Sequence, residues 1–377
     1  MRIHASLLVA LPLLLTTSVA HAQRATYTRA QLEKLERSVI GWGPMLPPKG
    51  NASTAADIKK NAAYTPTRKK LLDTFQGWIQ KTYTPLGRLA EPWRNMGPHS
   101  LSLTDQPPRW TVLDMMLWAP APKQGGGITR AQPASEWSIC IGANETIGYE
   151  SAFWFNTPKQ FYFTMAVERD GTITHPESAT KYGQLIEDFK KKLTTGPDAL
   201  APGTFVVMLS GSNYINVVLI PGGKLPMVNV SRAEALKVAE EGVRRAKAEG
   251  KQSDYMLQSE LKNITATREK YKDTLNEPAQ LRDLQFSIYA FNNEFDPFDN
   301  KFTRYPIYRY TPETYAKCKT DTPQWIVVRF PLNVQGKQDF EAIWKTMSEK
   351  FNYAYVYNTF FAPEKVKGQA YHVRGAK

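Results

Sequence analysis

Between Phe205 and Gly250 the apolar residues change their period twice, and the change predicts a β-hairpin feeding a helix. The apolar run 205–209 meets Gly211-Ser212-Asn213, a turn composition, and resumes over 214–220, which reads as two strands of one hairpin. Pro221-Gly222-Gly223 ends the second strand. Ser231 then stands three residues before Glu234, the reciprocal capping box in which the hydroxyl accepts from the Glu234 N–H while the Glu234 carboxylate reaches back. Leu236, Ala239, Val243 and Ala246 share one helical face. On another face Glu240 precedes Arg244, and Glu241 precedes Arg245, by one turn. Gly250 suits the left-handed end of this helix.

The same patterns extend along the chain. Helices are predicted from Thr28, over 66–83, 178–193, 253–275 and 337–350, and strands over 160–168, 285–291, 325–330 and the aromatic run 353–357. Residues 84–133 are rich in Pro, Gly and Trp and predict ordered loop around one short apolar element at 110–118. The expectation is an α+β protein with a mainly antiparallel, twisted sheet built from hairpins. Helices near 178–193, 231–249 and 337–350 would pack on one face, with flanking N-terminal helices and a helical hairpin made by 231–249 and 253–275.

The N-terminus changes the picture. Arg2 precedes an apolar run and the small-residue site Ala20-His21-Ala22, the pattern of a cleaved secretory signal over residues 1–22. The run is short for a bilayer span, and no second stretch of spanning length follows. The organisation expected is therefore a signal peptide (1–22), an N-terminal helical segment (23–83), the Pro/Gly/Trp-rich loop region (84–133), an α+β core (134–362) and a polar, fraying tail (363–377). The mature protein is expected outside the cytoplasm, secreted or periplasmic, with no transmembrane segment.

In an oxidising compartment the two cysteines, Cys140 and Cys318, are most simply read as a disulfide, which on the chain-entropy account would add about 5 kcal/mol of stability. The net charge of +13 favours anionic surfaces, although the basic residues are scattered in a way that solvated helix faces explain. Nucleic acid is not expected as a partner.

Motifs that carry chemistry are scarce. There is no G-x-S-x-G elbow, H-E-x-x-H, Walker loop, C-x-x-C or dinucleotide fingerprint. Beyond the signal segment only His99, His175 and His372 remain, too isolated for a zinc site, so neither a metal nor a cofactor is expected. The candidate binding surface is the loop region, with Trp93, His99, Trp110 and Trp118 placed to stack on or hydrogen-bond a ligand, either a glycan or an anionic envelope component. Core filling explains the same tryptophans. A non-catalytic binding or envelope-associated protein is the leading expectation. The rival is a secreted hydrolase of glycan or ester bonds, whose paired carboxylates need leave no local spacing signature.

Residues 222–236 (GGKLPMVNVSRAEAL) resemble a strand-to-helix junction of an uncharacterised secreted bacterial protein family with no assigned activity. That resemblance implies an exported, bacterial origin and no chemistry.

Overall fold

The computed structural model describes residues 41–42, 66–85, 89–96, 111–122, 128–145, 160, 162–164, 176–210, 214–281, 305–318, 320–332 and 338–376. In chain order the strands are β1 (Gly41–Trp42), β2 (Leu89–Met96), β3 (Thr111–Pro122), β4 (Ile128–Ala143), β5 (Tyr162–Thr164), β6 (Phe205–Ser210), β7 (Tyr214–Leu219), β8 (Met227–Asn229), β9 (Gln280–Leu281), β10 (Tyr305–Tyr310) and β11 (Ile326–Pro331). The α-helices among the described residues are α1 (Pro66–Thr82), α2 (Pro176–Leu193), α3 (Arg232–Ala248), α4 (Asp254–Lys270), α5 (Pro312–Lys317), α6 (Gln338–Glu349) and α7 (Tyr353–Phe361). None of the helices described is long and apolar enough to cross a membrane.

The strands form two sheets. The larger runs β1-β2-β3-β4-β11-β7-β6, antiparallel throughout except for the short β1–β2 pairing. The smaller runs β5-β10-β8, with β9 also paired to β10. The fold is thus α+β and mainly antiparallel, as the pattern implied.

Burial on both faces explains the strand composition. One face of the larger sheet carries Leu113, Ile141, Val217 and Val328 into a core with Phe75 of α1, Phe189 of α2, Met347 of α6 and Val356 of α7. At one end of its other face Met208, Val218 and Val327 meet Phe163 and Tyr310 of the smaller sheet. Strands covered twice lose their polar alternation and read as continuous apolar runs. The smaller sheet is covered twice as well. Along β10, Tyr308 and Tyr310 face the larger sheet, while Ile307 packs with Leu236 and Val243 of α3 and Ile264 of α4. Helices, larger sheet, smaller sheet and helical hairpin are therefore successive layers.

Three expectations need correction. The helix 231–249 packs on the smaller sheet, and its place on the larger one is taken by α1, whose Leu72 and Phe75 are fully buried. Residues 353–357 are helical, because Asn352 caps α7 by accepting from the Tyr355 N–H at 2.9 Å and aromatic partners lie on several sides of the turn. The tail is docked rather than frayed. Tyr371 is buried, its hydroxyl lies 2.7 Å from Thr82 Oγ1, and the Arg374 guanidinium donates to the Lys192 and Thr195 carbonyls at the end of α2. The helix from Thr28 and the strand at 285–291 lie outside the described residues.

Candidate functional site

Strands β3, β4, β11 and β7 hold a cross-strand row that interrupts the apolar pattern. Asp114 pairs with Cys140, Cys140 with Arg329, and Arg329 with Asn216. Residues directly opposite in antiparallel strands share a face, so these four side chains stand side by side. The row continues to Met208 on β6 and, at the other end, to Trp93 on β2, which is registered opposite Asp114.

A fifth group arrives by a turn. After β4 the chain passes through Asn144, whose φ of 55° is the left-handed region that Asn tolerates better than most residues. The Asn144 carboxamide fixes that conformation, its Oδ1 accepting from the Gln324 N–H at 2.6 Å and its Nδ2 donating to the Thr322 carbonyl at 3.1 Å. Trp325 Nε1 donates to the Glu145 carbonyl at 2.8 Å. Glu145 is thereby folded back over Gly142, where a Cβ would lie 2.5 Å from Glu145 Oε2 and 2.8 Å from its Cβ. Only glycine leaves the room.

The result is a partly closed ionic cluster. Arg329 Nη1 lies 3.2 Å from Glu145 Oε1, and Nη2 lies 3.6 Å from Asp114 Oδ1. The Cys140 thiol donates to Glu145 Oε2 at 3.2 Å. The two carboxylate side chains are 10% exposed and Arg329 is 23% exposed, so solvent reaches the cluster from the guanidinium side. Burial pushes the Glu145 carboxyl up, only partly offset by Arg329. Burial and the neighbouring Glu145 push the Cys140 thiol well up. Burial opposes the charge on Arg329, but Cys140, Glu145 and Asp114 outweigh it and hold the guanidinium charged. A thiol so placed is a hydrogen-bond donor, not a thiolate nucleophile.

Asn216 completes the row with a debt of its own. It is fully buried, and neither its Oδ1 nor its Nδ2 has a hydrogen-bond partner. A buried polar group left unpaired costs about 1–3 kcal/mol.

The residues singled out by sequence fare unevenly. Trp93 joins the row by register, whereas His99 and Trp110 lie outside the described residues. Trp118 is on β3 and buried, in keeping with the core-filling explanation of that tryptophan. The region 84–133 as a whole is not loop, since it supplies β2, β3 and the start of β4. Its prolines mislead because strands accommodate proline near a sheet edge, and Pro92 lies beyond the two β2 residues that pair with β1. Pro120 and Pro122 lie beyond a register shift toward the far end of the β3–β4 hairpin.

The disulfide is also corrected. Cys140 and Cys318 are free and buried in different surroundings, the first bonded to Glu145 and the second packed with Tyr310 and Trp325. Among the described residues no group of three His, Cys, Asp or Glu is arranged to hold a metal ion.

Asp114, Glu145, Arg329 and Asn216 were missed by the sequence reading. Three of them carry a signal all the same, since Asp114 in TVLDMMLW, Asn216 in YINVVL and Arg329 in IVVRFP are solitary polar residues inside apolar runs. Comparison with protein-family models, curated proteins and solved structures found no match.

Proposed function

We propose that this is an exported binding protein whose ligand engages the exposed Arg329 side of the cluster that this residue forms with Asp114, Cys140 and Glu145. One observation carries the reading, namely that a charged cluster open on the Arg329 side adjoins a buried carboxamide with both of its polar atoms unpartnered. Structural ion pairs are normally closed by hydrogen bonds from their neighbours, whereas ligand sites hold polar groups in reserve. The leader-like residues 1–22 support export. The ligand site moves from the Pro/Trp region as a whole to this row, to which that region contributes Asp114 and the register position of Trp93.

A thermal-shift screen of the full chain against glycans, peptides, polyanions and nucleic acid tests the reading, followed by hydrogen exchange to locate any ligand. Protection at the Cys140 and Arg329 amides is expected. No stabilising compound, or protection confined to other elements, overturns it.

The two carboxyl groups of Asp114 and Glu145 on one guanidinium favour a second reading, a hydrolase that uses them as a catalytic pair. Turnover of chromogenic glycosides or esters, abolished by Glu145→Gln, would establish it.

A further inference from the structure

We infer that Glu145, Asp114 and Arg329 form a proton-operated gate. Closed, the cluster holds one proton; on losing it, the Glu145 side chain swings away from Cys140. The inference stands apart from the binding reading and makes no use of a ligand.

The count of charges comes first. One guanidinium faces two carboxyl groups, with Arg329 Nη1 3.2 Å from Glu145 Oε1 and Nη2 3.6 Å from Asp114 Oδ1. Both acids are buried, so solvent screens them poorly. With both ionised the cluster carries one negative charge in excess, and a single bound proton makes it neutral. Two carboxyl groups placed in this way titrate as a pair, and one proton is held above the ordinary range. Burial first, and then Asp114, raise the Glu145 carboxyl against the opposing pull of Arg329.

The remaining neighbours do little to hold a second negative charge. Cys140 of β4 offers Glu145 Oε2 a thiol S–H, a weak donor, at 3.2 Å. Tyr310 of β10 lies within electrostatic reach of Glu145. Its phenol is pushed well up, by burial first and then by Cys318 and Glu145, so it stays neutral. Tyr214 of β7 acts on the guanidinium of Arg329.

The hinge is separate from the moving part. The Asn144 N–H donates to the Trp325 carbonyl at 3.1 Å, the Asn144 carboxamide holds Gln324 and Thr322, and Trp325 Nε1 holds the Glu145 carbonyl. None of these bonds uses the Glu145 carboxyl group, so the side chain can leave while the turn stays fixed. Gly142, against which it lies, has no side chain to block the path. In water the freed carboxyl has an ordinary glutamate pKa, whereas closed it is raised. Closing is therefore favoured at low pH, and it weakens as the pH rises from the ordinary glutamate range through the closed-state value. Opening uncovers the Cys140 thiol.

Alkylation of the full chain by iodoacetamide, followed by mass spectrometry of the Cys140 peptide, reads the gate. After division by the rate of free cysteine at each pH, the Cys140 rate should climb by up to about tenfold per pH unit above the ordinary glutamate range and then level off. The Asn144 and Gln324 amides should keep their protection against hydrogen exchange over the same range, which separates a side-chain gate from unfolding. Glu145→Gln keeps the closed shape without a titrating proton, and Asp114→Asn leaves one carboxylate for one guanidinium. The climb should vanish in both. A parent rate that tracks free cysteine at every pH overturns the gate, as does a climb that survives either substitution. Loss of Asn144 and Gln324 protection in step with Cys140 labelling means that the turn itself opens, and overturns it too. Should one variant fail to fold, the parent profile and the other variant still decide.

Discussion

Arg309 Nε donates to Glu234 Oε1 at 2.7 Å, tying β10 to the first turn of α3 across a layer boundary. The same oxygen accepts from the Tyr162 hydroxyl at 3.1 Å. Ser231 accepts from the Glu234 N–H as the capping motif requires, but the Glu234 carboxylate is spent on the smaller sheet instead of on the start of its own helix. One half of the capping box is local and the other half is tertiary.

Glu234→Ala and Arg309→Ala should each lower the stability by about 1 kcal/mol in urea denaturation. Their side chains are 29% and 24% exposed, so screening keeps the coupling between them below about 1 kcal/mol. A double mutant whose loss equals the sum of the two single losses would show that the contact is energetically silent.

Gly142→Ala should destabilise the protein by about 1–3 kcal/mol, because the added methyl meets the Glu145 Cβ and not merely the mobile end of its carboxylate. Combining it with Glu145→Gly should recover part of the loss. An unchanged denaturation midpoint for Gly142→Ala would refute the close approach.

The tail makes a pH-dependent contribution through Asp198. Burial alone would raise this carboxyl, but the Gly375 N–H, His372 and Asn352 outweigh it and hold the group below the ordinary aspartate range. A depressed folded pKa adds stability that is complete above the unfolded value and is lost as the pH falls through the folded one. Asp198→Asn should therefore flatten the acid limb of the stability curve. Tyr371→Ala, which empties a site among Trp78, Phe351 and Tyr355, should remove about 3–5 kcal/mol. Scanning calorimetry between pH 3 and 7 reads both.

Two thiols should titrate in the denatured protein without prior reduction, and a reductant should leave Tm unchanged, since Cys140 and Cys318 are both free. A single thiol-free species by mass would restore the bridge.

Local chemistry announced the elements more clearly than it announced their partners. The hairpin of β6 and β7 was legible because two apolar runs flank Gly211-Ser212-Asn213, and α3 because Ser231 sits at its cap. The run 353–357 was misread because its alternating aromatics imitate a strand, while packing of Tyr353–Phe361 by Phe75, Trp78 and Tyr371 makes helix the better solution. The polar row was hidden for another reason. Asp114 and Arg329 meet only through the pairings of β3 with β4 and β4 with β11, a register between distant segments that no local spacing encodes. What the sequence did carry was the oddity of single polar residues in strands covered on both faces.

Strand β11 lies between β4 and β7, so the larger sheet consists of two unconnected halves until residues 326–331 are in place. On a ribosome most of the chain therefore emerges before its central ladder can close, and the exposed edges of β4 and β7 wait for a late arrival. Completion is a final-act event, set by a segment that leaves fewer than fifty residues still to follow it.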